Sequence, residues 1–183
     1  MLIGESEYRL DLKAIEPYKD VLCHAGYIGD SGLTAVLIFT AMHLPDTNKY
    51  SSAEYKYVMH NIFLYIVSTM DLLVAQDYII IYINGGCKKR NLPGLSWLRQ
   101  CYSKIDRRLR KSIKKLYVVH PTFYLKALVN ILLPILSRKF SRKLFLCKQL
   151  KQLYKELKLL NNGVDVDISS KLHENILSFD KNL

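Results

Sequence analysis

The heptapeptide Asp77-Tyr-Ile-Ile-Ile-Tyr-Ile83 carries the strongest strand signal in this sequence. Isoleucine and tyrosine favour extended backbone, and a short run of such residues is typical of a buried strand. The turn residues Asn84-Gly-Gly86 end the run. The sequence therefore predicts a strand over 77–83, and this strand is the clearest one in the chain.

Predicted strands and helices alternate on both sides of this segment. The apolar, β-branched runs Leu33–Ala41 and Ile113–Val119 predict two further strands. The other predicted elements are a helix over 53–75 capped by Ser51 or Ser52, a helix from Thr122 limited by Pro134, a strand over 142–146 and a helix over 147–160. Because strands that alternate with helices pair in parallel, the order predicts an α/β fold with a mostly parallel sheet flanked by helices.

The N-terminal part of the chain has weaker patterns. Up to about Glu16 the sequence is polar with only a weak helical period. Gly26, Gly29 and Gly32 predict a turn that leads into the strand beginning at Leu33, and their spacing does not match a phosphate-binding loop.

A basic segment, 94–111, predicts one amphipathic helix. Its apolar residues recur every three or four positions and would form one stripe: Leu98, Tyr102, Ile105 and Leu109. Five of its cations are Lys104, Arg107, Arg108, Arg110 and Lys111, with Asp106 placed to pair with Arg110. A row of cations on a rigid helix suits an acidic partner, although from charge alone a solvated helix face is the other interpretation.

Composition limits the kinds of partner that this chain is suited to bind. The chain has 183 residues and a net charge of +11, and half of its residues are hydrophobic, which predicts one folded domain with a basic surface. Such a surface suits an acidic protein face, anionic lipid heads or nucleic acid. No nucleic-acid-binding signature accompanies the charge, and Tyr57, Tyr65 and Tyr78 lie in apolar segments, so we expect no nucleic acid partner.

No motif predicts catalysis, a cofactor or a metal. The four cysteines are widely spaced and the five histidines lack ligand spacing, so we expect free thiols and no metal site. Glycine-rich nucleotide-binding motifs and the serine nucleophile elbow are also missing. We therefore predict a protein that is not an enzyme.

Nothing in the sequence predicts secretion or a membrane span. The N-terminus lacks a basic region followed by an apolar core, and the best apolar run, 116–136, is interrupted by His120, Pro121, Lys126 and Pro134. We therefore expect a cytoplasmic protein.

The order of these segments resembles the BCH domain of caytaxin-like adaptors, a subgroup of the CRAL-TRIO lipid-binding superfamily. The similar segments are Ile15–Tyr18, Gly26–Asp30, His43–Asp46, Tyr57–Tyr65, Leu72–Tyr78, Tyr82–Gly85, Leu92–Lys111 and Val118–Pro121. The resemblance covers about three quarters of the chain and fades after about Tyr154. It implies a CRAL-TRIO-like domain over 15–160, an N-terminal extension over 1–14 and a C-terminal tail over 161–183.

The resemblance also implies a function. The BCH domains that this chain resembles act as scaffolds. They bind Rho-family small GTPases or their regulators, and they self-associate. The family's Arg-Arg-Leu-Arg-Lys patch is intact here, which implies a GTPase-docking patch of Arg107, Arg108, Arg110 and Lys111. An arginine-finger role has been proposed for this patch, and we expect docking instead.

A second family segment implies self-association. The family's basic loop corresponds here to Lys88, Lys89, Arg90, Asn91, Leu92 and Pro93, where Asn91 replaces one basic residue.

A later segment, which contributes GTPase contacts in some members of the family, is not preserved in this chain. The residues at that place are Asn161–Asp167.

Lipid binding is the alternative function. The segment with Phe123, Leu128 and Pro134 is similar to the gate helix of the lipid-binding relatives, and an apolar pocket beneath it could hold an acyl chain or bring the domain to an anionic membrane surface. The competing interpretation is that these residues pack in the core.

Overall fold

A computed structural model describes residues 2–3, 6–134, 138–163, 166, 168 and 180. The strands are β1 (Leu2–Ile3), β2 (Ser6–Glu7), β3 (Leu22–Ile28), β4 (Thr34–Thr40), β5 (Asp77–Ile83), β6 (Ile113–Val119) and β7 (Leu144–Cys147). The α-helices are α1 (Leu12–Ile15), α2 (Ser52–Leu73), α3 (Leu95–Lys104), α4 (Arg107–Ser112), α5 (Phe123–Leu132), α6 (Arg138–Ser141) and α7 (Leu150–Leu160). Short 3-10 helices lie at Glu16–Val21, Ala41–His43, Thr47–Lys49 and Lys89–Asn91.

A five-stranded sheet with the order β3-β4-β5-β6-β7 forms the centre of the fold. The strands β4 to β7 pair in parallel, and β3 pairs with β4 in the antiparallel sense. Ile81 of β5 lies between Ile38 of β4 and Tyr117 of β6. The predicted α/β fold with a mostly parallel sheet is therefore confirmed, and β5 and β6 have the predicted bounds.

The strand β3 corrects the prediction of a turn before the first strand. Gly26 lies within β3 at a φ of +96°, and the pairing register shifts between His24 and Tyr27. A glycine in this conformation is typical of a β-bulge. The predicted turn is confined to Gly29–Gly32, where the Gly32 N–H donates to the Gly29 carbonyl (2.9 Å).

Helices cover both faces of the sheet. Since the strand order follows the chain, right-handed crossovers place the connecting helices on one face. On that face α2 packs over Leu37 and Tyr78, and α5 packs over Val118. On the opposite face α7 packs over Ile38, Ile81 and other strand residues through Leu150, Leu153 and Leu157.

The predicted helix over 94–111 is two helices in the structure. Ile105 has extended backbone (φ −64°, ψ 131°), and Asp106 begins α4 as its N-cap by accepting the Leu109 N–H at 2.7 Å. An aspartate that caps a helix satisfies a free N–H group of the first turn. The predicted single stripe and the predicted pairing of Asp106 with Arg110 are therefore wrong.

The long helix α2 begins as predicted at its serine cap. The Ser51 hydroxyl accepts the Glu54 N–H (3.3 Å), and the Ser51 N–H donates to the Glu54 carboxylate (2.9 Å). This capping box fixes the start of the helix.

The last described helix begins later than predicted. The sequence predicts a start at Cys147, but α7 begins at Leu150, because Cys147 is still paired with Val119 in the sheet.

The described C-terminal residues contact the sheet. Ile168 is fully buried against the face that α7 covers. The Asp180 carboxylate accepts the Leu150 N–H at 2.7 Å and lies 3.0 Å from Nε2 of the buried His120. The sequence also predicts one helix near Lys171, in a segment outside the described residues. No helix in the described part of the chain is long and apolar enough to cross a membrane.

Candidate protein-interaction surface

The short helix α4 presents the basic patch that the sequence singles out. Leu109 is fully buried beneath it, and the Leu109 carbonyl accepts a hydrogen bond from the Tyr78 hydroxyl at 2.9 Å. Burial raises the pKa of Tyr78, so this hydroxyl remains a donor. Together with the Asp106 cap, these contacts fix the helix on the sheet.

Three of the four predicted patch residues share one face of α4. Arg107, Arg110 and Lys111 are exposed and lie at positions i, i+3 and i+4, which are neighbours on a helix. The Arg110 guanidinium lies 5.4 Å from the centre of the Tyr102 ring. None of the three forms an ion pair with a residue that the structure describes. We name Arg107, Arg110 and Lys111 the α4 cationic face.

Arg108 has a different environment from the α4 cationic face. Its guanidinium donates to the Asp71 carboxylate at 2.6 Å and to the Val74 carbonyl at 3.1 Å. Both acceptors lie at the C-terminal end of α2, where a cation is favoured by the helix dipole. Arg108 therefore joins α4 to α2. Asp71 is 37 positions away, so no local sequence pattern indicates this contact.

The predicted self-association loop is held against the segment His43–Asp46. Arg90 pairs with the Asp46 carboxylate at 2.7 Å, and the Asn91 side-chain amide donates to the Leu44 carbonyl at 2.8 Å. Pro93 is buried, and Leu92 is half-buried. Asn91, the residue expected to replace a basic residue of the family, therefore helps to hold this loop in place through its hydrogen bond to Leu44.

Lys88 and Lys89 are the loop cations outside this anchor. Both side chains are exposed, and neither forms an ion pair with a described residue. Lys89 Nζ lies 5.4 Å from the centre of the Tyr124 ring on α5. The loop and the beginning of α5 are therefore neighbours.

The predicted gate residues have three different environments. Phe123, at the start of α5, is 90% exposed, and Pro134 is also exposed. Leu128 is buried with Leu125 against Val118 of the sheet. Partly buried leucines complete this cluster: Leu95, Leu98, Leu116, Leu132 and Leu144. Side chains therefore pack between α5 and this part of the sheet.

Thiol chemistry is suppressed at three cysteines. All four cysteines are free. Burial raises the pKa of Cys87 and of Cys147 to about 11 and that of Cys101 to about 12. The reactive form of a cysteine is the thiolate, which these environments disfavour. Within the described residues no group of three or more histidine, cysteine or acidic side chains could hold a metal.

Two family descriptions match the chain. Residues 34–176 match the divergent CRAL/TRIO domain, and residues 1–31 match Bcl2-/adenovirus E1B nineteen kDa-interacting protein 2. Mouse (Mus musculus) caytaxin is 46% identical over 153 residues, which are 84% of this chain and 40% of caytaxin. Mouse Rho GTPase-activating protein 1 is 33% identical over 156 residues, which are 84% of this chain and 34% of that protein. The chain spans less than half the length of these curated relatives.

A solved structure has the same fold. The crystal structure of Sfh5 matches 81% of this chain and 55% of the Sfh5 chain with a TM-score of 0.53 at 9% identity. Similarity at this level of identity concerns the architecture of the sheet and its helices.

Proposed function

This chain belongs to the BCH subgroup of the divergent CRAL/TRIO family, and from that premise we propose that it is a cytoplasmic, non-enzymatic scaffold that binds a Rho-family small GTPase or a regulator of one. The observation that carries the proposal is the α4 cationic face. Its three cations are exposed on a helix whose position is fixed by a cap, a buried leucine and an arginine anchor. A fixed row of cations favours association with an acidic protein surface.

Docking explains this face better than catalysis. An arginine finger inserts into a nucleotide site to neutralise phosphate charge. Here Arg108 is occupied by Asp71 and Val74, and Arg110 lies against Tyr102. We therefore assign electrostatic docking to the α4 cationic face and helix positioning to Arg108.

The test is binding of the purified chain to a panel of Rho-family GTPases, each loaded with GDP or a non-hydrolysable GTP analogue. The affinities are measured at two salt concentrations. We expect one or a few members to bind and the binding to weaken as salt rises, since exposed charges are screened. Absence of binding to every member at low salt would contradict the proposal.

Self-association forms part of the proposal. Lys88 and Lys89 would contact a second copy, while Arg90 and Asn91 keep the loop in shape through Asp46 and Leu44. Sedimentation of the chain over a range of concentrations tests this: we expect a concentration-dependent dimer, and a monomer throughout would exclude it.

A lipid is the second candidate, and the exposure of Phe123 favours it. An aromatic side chain that is 90% exposed at the start of α5 is suited to contact acyl chains or a membrane interface. Because Leu128 packs against the sheet, an internal acyl chain would require α5 to move. Native mass spectrometry of protein purified from eukaryotic cells tests this: a bound lipid supports the candidate, and an empty protein counts against it.

A further inference from the structure

A cleft of about 380 Å³ lies between α2 and α3. Its lining residues differ from those of the surfaces described above. The wall from α2 includes Lys56, His60 and Phe63, and the wall from α3 includes Trp97, Gln100 and Lys104. On both helices these residues recur every three or four positions, so each helix turns one face to the cleft.

The cleft is cationic. Lys56 and Lys104 lie on opposite walls, both are exposed, and none of the acidic residues that the structure describes lines the cleft. Neither lysine forms an ion pair with a residue in the described part of the chain. Lys104 Nζ lies 5.3 Å from the centre of the Tyr8 ring, which holds the ammonium group beside the cleft without neutralising it.

The inner part of the cleft is aromatic. Phe63 is 4% exposed and belongs to the core under α2, and the half-buried Trp97 packs against the same core. His60 also lines the cleft, and the centre of its ring lies 5.6 Å from the centre of the Tyr8 ring. The cleft therefore combines an apolar floor with a cationic rim.

We propose that this cleft binds a short acidic peptide segment of a partner protein. A carboxylate of the peptide would lie between Lys56 and Lys104, and an adjacent apolar side chain would lie against Trp97 and Phe63. The amide of Gln100 is placed on the same wall to hydrogen-bond the peptide backbone.

The shape of the cleft favours a peptide over a small molecule. Small-molecule sites bury about 70–90% of their ligand. Here Lys56, Gln100 and Lys104 are all exposed, so the rim of the cleft is open to solvent. A segment of a larger partner can use such an open cleft because the rest of the partner covers it.

This site is distinct from the α4 cationic face, which adjoins the α3 wall of the cleft at Lys104. Along α2, His60 in the cleft and Asp71 beside α4 are separated by about 16 Å, given a rise of about 1.5 Å per residue. The α2 wall therefore lies apart from α4, and because peptide binding and GTPase binding are measured separately, the two proposals can fail separately.

His60 supplies a proton-linked readout. Burial, and then the nearby Lys104, lower the pKa of His60. The other titratable groups around it are Tyr8, Lys56 and Cys101, and burial raises the pKa of Cys101 to about 12. A bound carboxylate would raise the pKa of His60, so binding would take up a proton and strengthen as pH falls through the range of histidine titration.

The experiment that identifies the peptide is selection of phage-displayed random dodecapeptides on the full chain. Peptides enriched on the wild-type chain are counter-screened on the double variant Lys56→Gln with Lys104→Gln. We expect enriched sequences that pair Asp or Glu with an aromatic or aliphatic residue, and at least a tenfold weaker affinity for the double variant. Enrichment without acidic residues, or equal affinity for the double variant, would overturn the proposal.

Trp97 reports directly on the cleft because it is the only tryptophan of the chain. An enriched peptide without tryptophan should change the Trp97 fluorescence with the same Kd as its binding, and it should bind more tightly at pH 6 than at pH 8. The matched control is Lys151→Gln with Lys155→Gln on α7, which removes two positive charges on the opposite face of the sheet and should leave this Kd unchanged. If the fluorescence stays constant on binding, or if the control loses the peptide, the cleft is not the site.

Discussion

At the scale of single residues, position decides what each cation of the basic patch does. Arg107 and Arg108 are adjacent in sequence, yet Arg107 belongs to the α4 cationic face and Arg108 is bonded to α2. A charge pattern predicts that both are cationic, but the acceptors of Arg108 lie 34 and 37 positions away in sequence. The distinction therefore depends on tertiary structure.

The first prediction concerns stability at these two arginines. Arg108→Ala should lower the free energy of unfolding by about 1 kcal/mol, because a half-exposed ion pair and a hydrogen bond to the Val74 carbonyl are lost. Arg107→Ala, the matched control, should change it by less than about 0.5 kcal/mol. Urea unfolding measures both values. Equal effects of the two substitutions would contradict the anchoring role of Arg108.

The second prediction concerns the thiol of Cys101. Because burial raises its pKa to about 12, the thiolate is scarce at neutral pH and increases as pH rises. Alkylation of Cys101 by iodoacetamide should be slow at pH 7 and accelerate at pH 9, as measured by peptide mass spectrometry. Unfolded chain in urea is the control, in which all four cysteines should react at similar rates. Rapid labelling of Cys101 in the native protein at pH 7 would contradict this environment.

At the scale of the elements, the break between α3 and α4 determines how the basic patch is presented. A continuous helix over 94–111 would spread the cations around its circumference. The cap at Asp106 instead starts a new helix, on which Leu109 faces the core and three cations face outward.

The third prediction follows from this cap. Asp106→Ala removes the acceptor of the Leu109 N–H and should cost about 1 kcal/mol of stability. It should also weaken binding to the acidic partner, since α4 is held less firmly. Asp106→Asn is the control, because asparagine caps nearly as well. Unfolding and binding measured on both variants test the prediction, and identical behaviour of alanine and asparagine would exclude the capping role.

Much of the secondary structure could be predicted because the sequence patterns are local. The bounds of β5 and β6 and the cap of α2 follow from apolar runs and from a serine with its glutamate. The strand β3 and the break at Asp106 could not be found in this way. In β3 a bulge glycine interrupts the strand pattern, and the apolar period of 94–111 continues across the break at Asp106.

At the scale of the whole molecule, contacts between distant segments fix the surfaces. The loop with Arg90 and Asn91 depends on the segment His43–Asp46, and α7 is joined to the end of β6 through Asp180. The family resemblance draws attention to the basic segments 88–93 and 107–111, and their roles in self-association and docking remain predictions. Their anchors, and the cleft between α2 and α3, arise only when the chain is folded.

The fourth prediction concerns the Asp180 contact. Asp180→Ala removes the acceptor of the Leu150 N–H and a partner of the buried His120, so it should lower the free energy of unfolding by about 1–3 kcal/mol. Asp180→Asn keeps an acceptor oxygen and should cost less. Chemical denaturation of the two variants decides the point, and an alanine variant as stable as the wild type would show that this contact does not stabilise the domain.

Docking on an acidic partner is the main role that we propose for the α4 cationic face. The most direct measurement is the affinity of Arg107→Glu with Arg110→Glu for the Rho-family GTPase that binds the wild-type chain. The matched control is Lys151→Glu with Lys155→Glu on α7, which makes the same change of charge on the opposite side of the sheet. We expect at least a tenfold loss of affinity for the α4 variant, with near wild-type affinity for the control and unchanged stability in both. Equal affinities of the two variants would contradict this docking role.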